Sequence, residues 1–149
     1  MIKVQSEDFN LEEELITLTH NREDIGGVAS FVGLVRKHNQ KGPITSMVLE
    51  HYPAMTEQKL SEIEKEAHRR WPLQASLIIH RYGTLLPGDR IVLVATASSH
   101  RQAALEACAF LIDWLKTKAP FWKLENGVQG SHWVEAKTFD IEEADKWKE

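Results

Sequence analysis

The strongest hydrophobic period in the chain is helical and lies between Pro53 and Trp71. Leu60, Ile63, Ala67 and Trp71 recur at three- and four-residue spacing, with Glu and Lys on the other face. Pro53 suits the first turn, where its missing N–H has no helical partner to lose, and Pro72 closes the helix. That stripe reads as core. A second helix runs from Ser99 to about Lys118, with Ala103, Ala104, Ala107, Phe110, Leu111, Trp114 and Leu115 as a broad apolar face. Ser99 and Gln102 have the spacing of a capping box, so Ser99 is the expected N-cap. Pro120 ends the helix, because the residue before a proline disfavours the α region. A shorter helix begins at Asn10, with Glu13 at the capping-box position, and runs to about His20.

Between these helices the period changes to two. After Gly26-Gly27, Val28, Ser30, Val32 and Leu34 alternate with Ala29, Phe31, Gly33 and Val35, up to Arg36. Both sets are largely apolar, which predicts a strand covered on both sides. Lys37 to Pro43 is a polar loop. Ile44 to Tyr52, Ala75 to Tyr82, Arg90 to Ala97 and Trp133 to Phe139 read as further strands, and a short acidic helix ends the chain. Leu86-Pro87-Gly88-Asp89 has Pro and Gly in the order of a type II turn. The central order of strand, helix, strand, strand, helix, strand predicts a split β-α-β arrangement with antiparallel pairs, an α+β fold. At 149 residues, one domain spanning 1–149 is expected.

Composition changes this picture little. At 42% hydrophobic and 27% charged, the chain can build a core. A net charge of −4 argues against nucleic acid as the main partner. The N-terminus has no signal-peptide h-region and no apolar run reaches membrane-span length, so no membrane association and a cytoplasmic location are expected. The single cysteine, Cys108, lies in an apolar helical run and reads as a buried core thiol.

Chemistry gathers in three places. Lys116, Lys118 and Lys123 fall within eight residues among Trp114, Leu115, Ala119, Phe121 and Trp122. A lysine beside aromatics can lose water and have its pKa lowered, which makes it an acid, a base or a nucleophile. The same lysines would also suit a basic C-terminal turn that complements the helix dipole. Ser98-Ser99-His100-Arg101 opens the long helix, where free N–H groups and the dipole can hold an anion. Arg adds a planar fork there and His a switchable proton. Gly33-Leu34-Val35-Arg36 ends a strand in a cation. His51, in Glu50-His51-Tyr52-Pro53-Ala54-Met55, reads as a satisfied, half-buried histidine. Histidine and cysteine show no metal-ligand spacing, and no P-loop, dinucleotide fingerprint or Gly-x-Ser-x-Gly elbow occurs. The pattern suits polar chemistry on an anionic substrate.

Five segments together carry a family resemblance: Phe31 to Arg36, Leu49 to Met55, His80-Arg81-Tyr82-Gly83, Ser99-His100-Arg101, and Asp113 to Lys123. In them the chain resembles the MoaE family, the large, catalytic subunits of molybdopterin synthase, over nearly its whole length. The resemblance implies an α/β-hammerhead fold with an additional antiparallel β subdomain. It implies a central dimer of large subunits with a ubiquitin-like small subunit at each end, whose Gly-Gly tail carries a thiocarboxylate. The implied reaction places two sulfurs on cyclic pyranopterin monophosphate (precursor Z) to form the dithiolene of molybdopterin, in molybdenum cofactor biosynthesis. No cofactor or metal is implied. Carried over residue by residue, the pterin pocket would use Leu34, Val35, Arg36, His100, Arg101, Lys116, Lys123, Leu124 and Glu125, with Lys116 and Lys123 catalytic. Many relatives have arginine where Lys137 stands. Lysine lacks the bidentate fork, so residue 137 is assigned no role. A non-enzymatic adaptor for a ubiquitin-like tail is the alternative, to which the polar face of the Pro53–Trp71 helix would be suited.

Overall fold

The computed structural model describes residues 1–39, 42–128, 130–134 and 137–149. In chain order the elements are β1 (Ile2–Gln5), α1 (Leu11–Thr19), β2 (Gly27–Leu34), β3 (His38–Asn39), β4 (Gly42–His51), α2 (Pro53–Arg70), β5 (Leu73–Arg81), β6 (Gly83–Leu85), β7 (Arg90–Ser98), α3 (Arg101–Lys118), β8 (Phe121–Gly127), β9 (Gly130–Val134) and α4 (Thr138–Asp145). They form two sheets. The first has strand order β1-β5-β7-β2, with β1 parallel to β5 and the other pairs antiparallel. The second is antiparallel, with order β3-β4-β8-β9 and β6 also paired to β4.

Alternation along β5 and β7 divides the core between the faces of the first sheet. Ile78, Val92 and Val94 pack with Leu60, Ile63 and Ala67 of α2 and with Phe110 and Leu111 of α3. Leu77, Ile79, Leu93 and Ala95 pack with Phe9 and with Leu11, Leu15 and Leu18 of α1. Both strands are therefore covered on both sides, as near-continuous apolar runs require.

The expectation of two-sided cover fails for β2. It is an edge strand, and Val28, Phe31 and Leu34 are 41%, 40% and 53% exposed. Apolar residues on both faces do not by themselves distinguish an edge strand from a central one. The predicted late strand is met only in part. Among the described residues β9 is Gly130–Val134, and Phe139 lies in α4, 65% exposed. Residues 135 and 136 of that predicted strand, and residues 40 and 41 of the predicted polar loop, lie outside the described residues. The α+β order itself holds, and β4, β8 and β9 form the antiparallel addition.

Two glycines set the geometry around α3. A Cβ on Gly26 would lie 2.0 Å from the Ser99 carbonyl oxygen, so only glycine lets β2 begin against the start of α3. Gly88, at φ +90°, closes the predicted turn before β7, with Asp89 N–H donating to Leu86 O at 2.9 Å.

Candidate active site

The joint between α3 and β8 brings the lysines together. Ala119 caps α3 through its N–H to Leu115 O at 3.4 Å, and Pro120 then turns the chain into β8. On β8, Phe121, Lys123 and Glu125 point to one face and Trp122, Leu124 and Asn126 to the other. The strand lies between β4 and β9, where Lys123 pairs with Leu49 and Val134, and Glu125 with Met47 and His132. Lys116, exposed on the last turn of α3, comes close enough to the half-buried Lys123 for its charge to act on it.

This proximity changes the chemistry of Lys123. Burial pushes its ammonium down from the ordinary 10.5 to about 8, helped by the Lys116 charge and the Lys116 hydrogen bond. Asp140 of α4 and Glu125 pull it partly back up. Glu125 is held in turn by Asn39, whose Nδ2 donates to Oε1 at 3.3 Å. Lys118 turns away, with its Nζ 4.7 Å from the Trp114 ring centroid.

Sequence reasoning assigned no role to His80, which stands beside these lysines. It is buried at the end of β5, with its Nδ1 donating to Arg81 O at 2.8 Å. Its ring lies flat on Phe121, with centroids 3.6 Å apart and planes 14° apart. Burial pushes its pKa down to about 3, and the charges of Lys123, Lys116 and His51 push the same way. The signal in the sequence was one polar residue closing the apolar run Leu77-Ile78-Ile79. His51 is half-buried as expected, with Nδ1 3.1 Å from Thr56 Oγ1 and its ring 4.6 Å from Tyr82.

The remaining expected residues divide into two groups. Leu34 and Arg36 are exposed at the far end of β2, while Val35 is buried in the core cluster that also holds Leu115. Its N–H donates to Asp89 O at 2.9 Å, which fixes that strand end. Leu124 is half-buried on the β8 face opposite Lys123. His100 and Arg101 lie at the start of α3, both exposed. Fifteen residues of helix separate Arg101 from Lys116, or ~22 Å at ~1.5 Å per residue. A single chain does not bring these two groups together.

The predicted cap of α3 is also corrected. His100, not Ser99, is the N-cap, and no side chain caps it. Ser99 Oγ donates to Asp24 O at 3.0 Å and accepts from Gln74 Nε2 at 2.8 Å, while Gln102 donates to Glu106 Oε1 at 3.2 Å. The segment after α1 has taken the serine hydroxyl, so the first N–H groups of α3 face outward beside His100 and Arg101. Cys108 is buried as expected, and burial pushes its thiol up to about 11.

A family model described as MoaE protein matches residues 4–118. A molybdopterin synthase catalytic subunit from Mesorhizobium japonicum is 48% identical over 149 residues, covering 99% of this chain and 92% of that protein. Among solved structures, the molybdopterin biosynthesis MoaE protein of Burkholderia ambifaria superposes with a TM-score of 0.85 at 46% identity, covering 99% of this chain and 97% of that one. Molybdopterin synthase from Staphylococcus aureus superposes with a TM-score of 0.83 at 32% identity, covering 89% and 96%. With a sequence and a fold shared along nearly its whole length, this chain belongs to the MoaE protein family.

Proposed function

We infer that this chain is the catalytic subunit of a molybdopterin synthase, working in the cytoplasm. It converts cyclic pyranopterin monophosphate to molybdopterin with two sulfurs delivered by a ubiquitin-like small subunit. The observation that carries the reading is the half-buried Lys123 at the α3–β8 joint beside Lys116, with burial and the Lys116 charge holding it at about pKa 8. At pH 7 roughly a tenth of such a lysine is free amine, against well under a thousandth at 10.5. It can therefore give or take a proton near neutrality. The adjacent Lys116 ammonium can stabilise a developing oxyanion or protonate a leaving oxygen. A bland adaptor surface has no use for a half-buried lysine depressed by the charge of a second one.

An outside sulfur donor, which the family resemblance implies, also fits the state of the one thiol in this chain. Its one thiol, Cys108, is buried and held protonated, so sulfur must come from outside. A Gly-Gly thiocarboxylate tail is thin enough to reach a recessed lysine pair. His100 and Arg101 would serve that pair only from a second copy of the chain, because ~22 Å of α3 separates them from their own Lys116. A central dimer would supply each pocket with the lysines and Glu125 from one copy and with an anion-holding helix start from the other.

Purified chain, incubated with a small subunit bearing the thiocarboxylate and with precursor Z, should yield a dithiolene product. Tail binding without product would favour the adaptor.

A further inference from the structure

His80 is a histidine where a plain hydrocarbon would be expected. It is 3% exposed, directly after the buried apolar run Leu77-Ile78-Ile79, and a buried imidazole costs more than a phenyl ring of similar size. Because a carbonyl can only accept, the hydrogen bond to Arg81 O fixes the proton on Nδ1 and leaves Nε2 bare. The ring belongs to the first sheet, whereas Phe121, on which it lies, belongs to the second. Phe121 and Lys123 are two residues apart on β8 and share a face. The stack is thus a joint between the sheets, one side-chain position from the lysine pair. Neutrality matters here, since a third cation beside Lys116 and Lys123 would drive the pair apart.

We propose that His80 is a positioning residue for the reaction: tied to Arg81 O and stacked on Phe121, it holds β8 so that Lys123 stays beside Lys116 and shielded from water. The assignment rests on the function inferred above for the two lysines. Removing the ring opens the joint, lets water reach Lys123 and restores the hydration of its ammonium. Lys123 is faced by Lys116 from α3, Asp140 from α4 and Glu125 from its own strand, and His80 is faced by both lysines and by His51 of β4. None of these charges changes when the His80 ring is replaced, so a rise in the Lys123 pKa reports on water.

The test compares His80→Ala, His80→Phe and Phe121→Leu in the full chain. Lys123 is followed by NMR of labelled lysine carbons, assigned by the signal lost in Lys123→Arg. Turnover is measured with the thiocarboxylated partner. His80→Ala should raise the Lys123 titration by ~1 unit or more. It should lower kcat by ~10-fold or more with little change in KM, and move the pH–rate profile the same way. His80→Phe, which can stack but not hydrogen-bond, should return the titration and kcat most of the way. Phe121→Leu should reproduce the loss from the other side of the stack, and carries the test if His80→Ala does not fold. A Lys123 titration and pH profile unmoved in the folded variants, or a loss that phenylalanine does not rescue, overturns the proposal. If Lys123→Ala keeps full turnover while His80→Ala still shifts the titration, the lysine chemistry is wrong and the positioning stands.

Discussion

Replacing Lys116 with methionine isolates the interaction on which the lysine chemistry depends. Methionine keeps an unbranched apolar stem and removes the charge and the hydrogen bond. In the native chain Lys123 lies about 2.5 units below its ordinary 10.5, at about 8. At ~1.4 kcal/mol per unit, that is on the order of 3 kcal/mol against the charged form. Burial is the largest cause and survives the substitution, while the Lys116 charge and hydrogen bond, which come next, do not. A rise of roughly one unit is therefore expected, cutting free amine at pH 7 from roughly a tenth to roughly a hundredth. NMR titration of Lys123 reads this directly, and the pH–rate profile of single turnovers should move upward with it. Stability should change as well. Because Lys123 is depressed in the folded state, its cost is present in full below about pH 8 and disappears as pH rises to 10.5, where the unfolded chain too has released its proton. Lys116→Met should reduce that cost near neutrality. If Lys123 titrates at the same pH in wild type and Lys116→Met, or near 10.5 in both, the two lysines are not coupled and the reasoning fails.

Arg101→Ala should weaken pterin binding ~10-fold by calorimetry at low salt and leave affinity for the small subunit unchanged; unaltered substrate affinity would put the anion site elsewhere. Cys108→Ala should retain sulfur transfer, whereas removing the last two glycines of the partner should abolish it; a folded but inactive Cys108→Ala would mean that sulfur passes through this chain. Because His80 is held at about 3 against an ordinary 6.5, the unfolded chain takes up its proton first as pH falls. Stability should decline by up to ~1.4 kcal/mol per pH unit below 6.5, and His80→Phe should flatten that slope in denaturant titrations; equal slopes would show that His80 is not held neutral.

Strong periodicity carried much of the fold. The Leu60, Ile63, Ala67 stripe and the Asn10 cap of α1, with Asn10 Oδ1 accepting from Glu13 N–H at 3.0 Å, were readable because helix signals are local. β8 was not, and the reason is its mixed faces. Phe121, Lys123 and Glu125 share one face and Trp122, Leu124 and Asn126 the other, so each face mixes apolar and polar groups and no alternation shows. β1 has only four residues, and its parallel pairing with β5, more than seventy residues away, decides its conformation. Ser99 had the right spacing for a cap, yet tertiary contacts with Asp24 and Gln74 took its hydroxyl. The lysine cluster was visible in the sequence as a cluster. That Lys116 meets Lys123, and that His80 packs beside them, depends on how α3 turns into β8 and how the two sheets join.

The central claim is that Lys116 and Lys123 together perform the transfer. It is tested most directly by single-turnover dithiolene formation in Lys123→Ala, with the thiocarboxylated small subunit and precursor Z both saturating. The expected result is a rate lower by roughly 10²–10³-fold, from loss of a transition-state contact, with the fold and the affinity for the partner preserved. A folded Lys123→Ala chain that makes the dithiolene at the wild-type rate would contradict the account.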